Sequence, residues 1–235
     1  MFSADLIARL RNARRVAVLT GAGMSAESGV PTFRDPDGLW ARFKPEELAS
    51  MDAFLANPEL VQDWYAHRRE IVQNAAPNPG HLALVELEGR IAEFTLVTQN
   101  VDNLHTEAGS TKVLELHGNL TRNYCLDCRR PAADGGRCGC GGLIRPDVVW
   151  FGEMLPDGVF EAAHQAAVRA EVFLSIGTSA VVYPAAGLPL AAADAGAYTV
   201  ELNVEHSAIA HAMQEVVLGP SGETLPTLVR AVFGG

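Results

Sequence analysis

Residues 16–25 read VAVLTGAGMS, a short apolar run that leads directly into a glycine-rich turn. An apolar run without polar alternation is typical of a strand buried on both faces, as in a parallel sheet covered by helices. Glycines directly after such a strand let the backbone approach a pyrophosphate and offer it N–H groups. A tight turn from strand to helix uses the same residues, so this motif alone leaves both the phosphate-binding and the structural interpretation open.

Similar apolar runs recur along the chain, separated by helical patterns such as residues 160–170. Strands that alternate with helices predict an α/β fold with a doubly wound, Rossmann-like parallel sheet. Such sheets bind ligands at the carboxyl ends of their strands, and we expect the polar and glycine-rich turns after these runs to line a site. The further runs are residues 94–98, 113–116, 172–176 and 198–202.

The chain has 235 residues, 48% of them hydrophobic, which suits one sizeable domain with small inserts. Residues 120–144 are dominated by Cys, Gly, Asp and Arg and predict a metal-stapled insert. Residues 36–79 predict a helical insert, with Asn57 as N-cap and Pro58 at the first helical position of an amphipathic helix. The Rossmann-like domain is then predicted to comprise residues 1–35, 80–119 and 145–235.

Several classes of protein are disfavoured. The net charge of −10 argues against the basic face that sequence-independent nucleic-acid binding requires. No basic region followed by an apolar stretch opens the chain, and no apolar segment approaches the roughly 20 residues of a bilayer span. The first glycine motif departs from G-x-G-x-x-G, and no Asp or Glu follows a second strand at the place where a dehydrogenase would hold the ribose, so a hydride-transfer enzyme is disfavoured. We expect a soluble, cytoplasmic protein whose partners are proteins or small molecules.

The glycine motif continues to residue 34 as GAGMSAESGVPTFR, and here the sequence resembles the sirtuin family. This resemblance spans nearly the whole chain and implies NAD-dependent removal of acyl groups from protein lysines, with nicotinamide and O-acyl-ADP-ribose as products. The acylated lysines of other proteins would be the substrates and NAD the co-substrate. The later motifs are TQNVDNLH at 98–105, His117-Gly118, the cysteine cluster, RPDVVWFGE at 145–153, GTS at 177–179 and ELN at 201–203.

The reaction needs a base that activates a ribose hydroxyl, and His117 at a strand end is the candidate because histidine titrates near neutrality. By resemblance, Asn100 and Asp102 would line the nicotinamide pocket, where Asp102 accepts from the carboxamide and Asn100 orients water or ribose. A turn that merely caps the next helix is the structural alternative for residues 99–103, and it is reasonable for Asn103.

The resemblance also implies a set of residues that bind the rest of NAD. Gln99 would bind ribose hydroxyls, and Phe33 would shield the reactive ribose carbon from water. The complete predicted cofactor set is Gly21, Ala22, Gly23, Ser25, Phe33, Arg34, Gln99, Asn100, Asp102, Gly177, Thr178, Ser179 and Asn203.

Four cysteines, Cys125-x-x-Cys128 and Cys138-x-Cys140, offer enough thiolates for a closed tetrahedral zinc site. A metal in such a site has no open coordination position for water, so its role would be structural and not catalytic. The second pair departs from the C-x-x-C that is commoner in the family, which leaves a partly degenerate or oxidised cluster as the alternative.

In sirtuins the stretch that corresponds to residues 148–153 pairs with the substrate peptide through its backbone. Val149 and Phe151 would line the acyl-lysine tunnel, and Gly152 and Glu153 complete the predicted substrate-binding stretch. A core strand is the alternative for Val148 and Val149.

Tyr65 and Arg68 stand three residues apart and share a helix face. The sequence looks like the class III sirtuins, in which a Tyr and an Arg at this spacing lie at the bottom of the acyl pocket. A guanidinium and a phenolic O–H can bind a carboxylate, so removal of succinyl or malonyl groups is expected beside deacetylation. The alternative is an exposed amphipathic helix whose Arg68 and Arg69 pair with nearby carboxylates.

Two other functions remain open beside deacylation. ADP-ribosyl transfer to a protein begins with the same displacement of nicotinamide. A catalytically silent NAD-sensing module belongs to a different class, and the joint presence of His117, Asn100 and Asp102 speaks against it.

Overall fold

The computed structural model describes residues 2–32, 48–133 and 135–234. Its centre is a six-stranded parallel sheet, which confirms the predicted doubly wound α/β fold. Its strands are β1 (Arg15–Thr20), β2 (Glu93–Thr98), β3 (Val113–Glu115), β6 (Val172–Ile176), β7 (Tyr198–Asn203) and β8 (Glu215–Leu218), and their order across the sheet is β3-β2-β1-β6-β7-β8. An antiparallel pair, β4 (Gly118–Cys125) and β5 (Ile144–Val148), lies outside it.

Capping side chains and a proline determine where two of the helices begin. Ser3 caps α1 (Ala4–Asn12) by accepting from the Leu6 N–H. Asn57 caps α3 (Pro58–Gln73) by accepting from the Leu60 N–H, with Pro58 at the first helical position as predicted. The helices are α1 (Ala4–Asn12), α2 (Met51–Ala56), α3 (Pro58–Gln73), α4 (Pro79–Arg90), α5 (Leu104–Ala108), α6 (Val159–Arg169), α7 (Leu188–Asp194) and α8 (Ser221–Phe233). Among the described residues, no helix has the length and apolar character needed to cross a membrane.

The sheet carries a hydrophobic core on each face. Val16 and Val18 of β1 point into a core formed with α1, α4 and α8, whereas Ala17 and Leu19 point into a core formed with α6 and α7. This alternation follows from the two-residue period of a strand. Because both faces are buried, residues 16–19 of the strand are all apolar, which explains the uninterrupted apolar run from which the fold is predicted.

The two inserts contribute to one further core. Phe54, Val61 and Tyr65 of α2 and α3 pack with Leu120 of β4 and with Trp150 after β5. The Gln62 side chain adds hydrogen bonds to the carbonyl oxygens of Ile144 (2.7 Å) and Gly136 (3.2 Å). The helical segment and the cysteine-containing segment, which are far apart in sequence, therefore stabilise each other.

Candidate active site

The candidate site is the edge of the parallel sheet at which β1, β2, β6 and β7 have their carboxyl ends, and this edge is called the crevice. Strand β1 lies in the middle of the sheet. The chain adds β2 and β3 on one side of β1 and later adds β6, β7 and β8 on the other side, so the strand order reverses at β1. Ligands of open α/β sheets bind at such points. The predicted cofactor residues that the structure describes follow these strand ends. Phe33 and Arg34 lie outside the described residues.

The glycines of two strand-end loops pack against each other. The N–H of Gly23 donates to the carbonyl oxygen of Gly177 at 2.8 Å, and a Cβ on Gly177 would lie 2.4 Å from the backbone nitrogen of Met24. Gly177 also has a φ of +58°, in the left-handed region that favours glycine. Close packing of the loops is therefore a sufficient reason for these glycines, and their contact with a pyrophosphate stays a prediction.

Asn100 is fixed by its amide group. Its Nδ2 donates to the carbonyl oxygen of Gly21 at 3.0 Å and to Ser25 Oγ at 3.1 Å, and its backbone N–H donates to Thr98 Oγ1 at 3.0 Å. Because both amide hydrogens are used, Asn100 can offer a ligand its side-chain oxygen, which is an acceptor.

Asp102 is a buried carboxyl group beside Ser25. Its Oδ1 accepts from the Leu104 N–H at 3.0 Å, which places it at the start of α5. Burial raises the pKa of Asp102, against the opposing effect of hydrogen bonds from Ser25 and Leu104. The group has one oxygen engaged at the helix start and accepts readily from an N–H donor such as a carboxamide.

Thr178 joins the ends of three strands. Its Oγ1 accepts from Gln99 Nε2 at 3.1 Å, and its carbonyl oxygen accepts from Asn203 Nδ2 at 3.0 Å. Gln99 follows β2, Thr178 follows β6 and Asn203 ends β7, so these predicted cofactor residues form one hydrogen-bonded group. Ser179, the next residue in the loop, is partly exposed.

His117 follows β3 and lies partly buried at the edge of the crevice. Its Nδ1 is 3.1 Å from the carbonyl oxygen of Gln99, and a carbonyl only accepts, so Nδ1 carries the proton. The neutral ring therefore has a bare Nε2, the form a general base needs. Burial lowers the pKa of His117, with the Gln99 hydrogen bond acting in the opposite direction.

The predicted substrate-binding stretch, residues 148–153, is bound by backbone hydrogen bonds to His117 and to the helical insert. The Val149 N–H donates to the His117 carbonyl oxygen and the Phe151 N–H donates to the Ala49 carbonyl oxygen, both at 2.9 Å. Val148 is buried and ends β5, as the core-strand alternative proposes, whereas Val149 lies beyond the strand and is only partly buried. Phe151 and Gly152 are exposed, and Gly152 has a φ of +84°.

Arg145, which sequence reasoning missed, holds this stretch in place. Its guanidinium is 2% exposed and binds Glu153 through two bonds, Nη1 to Oε1 at 2.5 Å and Nη2 to Oε2 at 2.9 Å. The Glu153 carboxylate also accepts from the Trp150 N–H at 2.8 Å. Burial opposes ionisation of Glu153, but these bonds outweigh it and lower its pKa. Its carboxylate thus shapes the loop, and a contact with substrate stays a prediction. The Arg-Pro that opens the motif at residue 145 was the available signal.

Tyr65 and Arg68 share one aromatic surface of the insert. Tyr65 is buried, and its hydroxyl oxygen accepts from Trp150 Nε1 at 2.8 Å. The Arg68 guanidinium carbon lies 4.9 Å from the Trp64 ring centre and 5.5 Å from that of Tyr65. Burial raises the pKa of Tyr65 and lowers that of Arg68. Arg69 is also buried and binds Asn123 Oδ1 at 3.2 Å, so this face of α3 is not a solvated one.

The four cysteines converge, with all their sulfur atoms within 4.8 Å of one another. Cys125 and Cys140 are 3.5 Å apart, and Cys128 and Cys138 are 3.7 Å apart. Four sulfurs at about 2.3 Å from a tetrahedral zinc would be separated by about 3.8 Å, so the thiols fit a closed, structural zinc site. A backbone N–H from Cys128 is the first of several hydrogen bonds that lower the pKa of Cys125 to about 7, which favours a thiolate ligand.

The Sir2 family model matches residues 21–184. The chain belongs to the Sir2 family. A curated relative, NAD-dependent protein deacylase 2 of Pyrobaculum aerophilum, is 51% identical over 237 residues, which covers 97% of this chain and 94% of the relative.

Solved Sir2 structures share the whole fold. A Sir2 homologue in complex with NAD is 43% identical, with a TM-score of 0.93, and the match covers 99% of this chain and 94% of that one. A Sir2 protein in complex with a p53 peptide and NAD is 31% identical, with a TM-score of 0.88 and 98% of both chains covered. The described residues of this Sir2-family chain thus follow the family fold from end to end.

Proposed function

We propose that this chain is an NAD-dependent protein-lysine deacylase, which transfers an acyl group from a lysine side chain to ADP-ribose and releases nicotinamide. The observation that carries the proposal is the position of His117. Its Nδ1 bonds the carbonyl oxygen of Gln99, a predicted cofactor residue, while its backbone carbonyl accepts from Val149 in the predicted acyl-lysine stretch. A general base between two such sites is suited to a reaction that joins their ligands. The named deacylase relatives and the NAD and peptide complexes of Sir2 proteins support it.

Each residue has a defined task in this proposal. NAD supplies, when bound, an activated ribose carbon with nicotinamide as its leaving group. Asp102 accepts from the carboxamide N–H₂, and the side-chain oxygen of Asn100 orients water or a ribose hydroxyl. His117 Nε2 takes the proton of a ribose hydroxyl, with Nδ1–H held by Gln99. Val149 and Phe151 line the acyl-lysine, and the backbone of their stretch pairs with the peptide.

The remaining cofactor contacts follow the predicted set. Gly21, Ala22, Gly23 and Ser25 take the phosphate end, and Gln99 takes ribose hydroxyls. The adenosine side is bound by Gly177, Thr178, Ser179 and Asn203. Phe33 and Arg34 contact the phosphate–ribose end, where Phe33 shields the reactive ribose carbon from water. The substrates are acylated lysines of other proteins, with no binding to nucleic acid or membranes. The cytoplasm as the place of reaction rests on the sequence prediction alone.

Succinyl and malonyl groups are proposed substrates beside acetyl. The indole N–H of Trp150 only donates, so it occupies the Tyr65 oxygen as an acceptor and leaves the Tyr65 hydrogen for another partner. A carboxylate at the end of the acyl group can accept that hydrogen and pair with the Arg68 guanidinium beside it. An acetyl methyl group offers neither side chain anything to bind.

A nicotinamide-release assay with acyl-lysine peptides tests the proposed function. The unmodified enzyme should release nicotinamide only when NAD and an acyl-peptide are both present. His117→Ala should lower turnover by about two orders of magnitude or more and leave NAD binding largely intact. Label transferred from NAD to a protein acceptor would instead indicate ADP-ribosyl transfer. NAD binding without any nicotinamide release would indicate a silent module, and near-normal turnover of His117→Ala would contradict the role of His117.

A further inference from the structure

Two neighbouring buried histidines take no part in the proposed reaction. His81 is 0% exposed and His105 is 2% exposed, and their ring centres are 4.8 Å apart. Within the described part of the chain, His81 Nε2 and His105 Nδ1 have no hydrogen-bond partner. Buried polar atoms without partners are rare, so each one calls for an explanation.

The proton on His81 can be assigned from its neighbour. The backbone N–H of Asn78 donates to His81 Nδ1 at 3.2 Å, as part of the capping box at the start of α4. An N–H only donates, so Nδ1 is the acceptor and the proton of the neutral ring is on Nε2. The Nε2–H of His81 is therefore a hydrogen-bond donor on a ring that lies next to the ring of His105.

A chain of hydrogen bonds leads from His105 to Asn100. His105 Nε2 is 2.9 Å from Thr20 Oγ1, and Thr20 Oγ1 is 2.8 Å from Thr98 Oγ1. Thr98 Oγ1 in turn accepts from the backbone N–H of Asn100 at 3.0 Å. All three side chains are buried: Thr20 and Thr98 are paired at the ends of β1 and β2, with Thr98 two residues before Asn100, and His105 lies in α5.

The direction of this chain follows from the donors at its ends. If Thr98 donated to Thr20 and Thr20 to His105 Nε2, the proton of His105 would be on Nδ1. Two N–H donors, on His81 and His105, would then occupy neighbouring buried rings. With Nε2–H of His105 donating to Thr20, and Thr20 donating to Thr98, His105 Nδ1 becomes an acceptor that complements the His81 donor.

We propose that His105, Thr20 and Thr98 form a directional hydrogen-bond relay whose direction is set by the neighbouring ring of His81, and that the relay positions the Asn100 backbone at the predicted nicotinamide pocket. The relay rests on the proposed function only for its effect on turnover. Burial lowers the pKa of His81 to about 4 and that of His105 to about 3. Both rings therefore stay neutral, and the relay keeps its direction, at neutral pH.

Thr98 offers the sharpest test because two substitutions separate its hydroxyl from its shape. Thr98→Val should lower kcat/KM for NAD about five- to tenfold, the effect of leaving the Asn100 N–H without its acceptor. Thr98→Ser, which keeps the hydroxyl, should stay within about twofold of the unmodified enzyme. Thr199→Val is the matched control, since Thr199 is also buried but bonds Gln214 beside β8, and should lower only the melting temperature. Equal kinetic losses in Thr98→Val and Thr199→Val, or no loss in Thr98→Val, would overturn the relay.

A spectroscopic measurement tests the relay without relying on activity. Ring ¹⁵N shifts should show both His81 and His105 as the neutral form protonated on Nε2 at pH 7. In Thr98→Val the Asn100 amide hydrogen should exchange with solvent faster, and in Thr98→Ser it should not. A proton on Nδ1 of His105 would refute the assigned direction. An enzyme that shows the expected shifts but releases no nicotinamide would contradict the proposed function and leave the relay supported.

Discussion

Replacing Arg145 with Met should destabilise the protein far more than the same replacement at Arg122. Arg145 is buried and holds Glu153 through two bonds, and its guanidinium carbon lies 3.6 Å from the ring centre of Trp150. Arg122 also makes two ion pairs, with Glu115 at 2.7 Å and Asp147 at 2.8 Å, but half of its side chain is exposed. The two variants therefore compare a buried pair with a solvated one.

The magnitude follows from the charge that is left behind. Removing one partner of a buried ion pair costs about 3–5 kcal/mol, and the 25% exposure of the Glu153 side chain reduces this to about 3 kcal/mol. For a chain of this size, such a loss lowers the melting temperature by about 6–12 °C. The exposed pairs of Arg122 contribute about 1 kcal/mol or less. Adding Glu153→Gln to Arg145→Met removes the unpaired charge, and we expect it to recover roughly half of the loss.

Thermal unfolding of the two single variants and of the double variant measures these differences. Deacylation kinetics add a second readout, since a displaced stretch at Val149 and Phe151 should lower kcat/KM for acyl-peptides about ten- to a hundredfold. Equal shifts of the melting temperature for Arg145→Met and Arg122→Met would refute the reasoning. So would a double variant that is less stable than Arg145→Met, because the cost would then not come from the stranded carboxylate.

Three further outcomes are expected. Removing zinc, or replacing Cys125 with Ala, should unfold the segment around β4 and β5 and abolish activity through lost stability. Purified protein without zinc, or a stability that a strong chelator does not change, would contradict the zinc site. Arg68→Met and Tyr65→Phe should each lower kcat/KM for succinyl-lysine peptides about tenfold or more and change acetyl-lysine activity much less; equal losses on both peptides would leave a plain deacetylase. Because burial lowers the pKa of His117, the acid limb of kcat/KM should lie below 6.5, the ordinary value of histidine, and a limb above it would argue against His117 as the base.

The sheet and its crevice could be predicted because their signals are local. The run at residues 16–19 is apolar throughout since both faces of β1 are buried. The polar residues after each strand converge because parallel strands end at the same edge. His117, Asn100 and Asp102 come to one region for this reason alone. The cysteine spacing likewise predicts the cluster that the sulfur distances display.

Contacts between distant segments could not be predicted. Gln62 binds the carbonyl of Ile144, 82 residues away, and no local pattern indicates that pairing. Arg145 and Glu153 are closer in sequence. The burial of Arg145 could still not be predicted, because an arginine is rarely buried without a partner and the sequence does not show that Glu153 is its partner. The glycine turn shows the same limit, since no local pattern indicates that the loops of Gly23 and Gly177 pack against each other, and the NAD contacts predicted for these glycines stay predictions.

The shared core of the two inserts has a consequence for engineering this enzyme. Tyr65, from the helical segment, and Trp150, after the cysteine-containing segment, are joined by one hydrogen bond, so the predicted acyl pocket would need both segments. A chimaera that exchanges only residues 48–79 with a relative would set a foreign helix against a native hairpin and break the packing at Leu120. Acyl preference should therefore transfer between relatives only when both segments are grafted together, with the parallel sheet serving as an unchanged base.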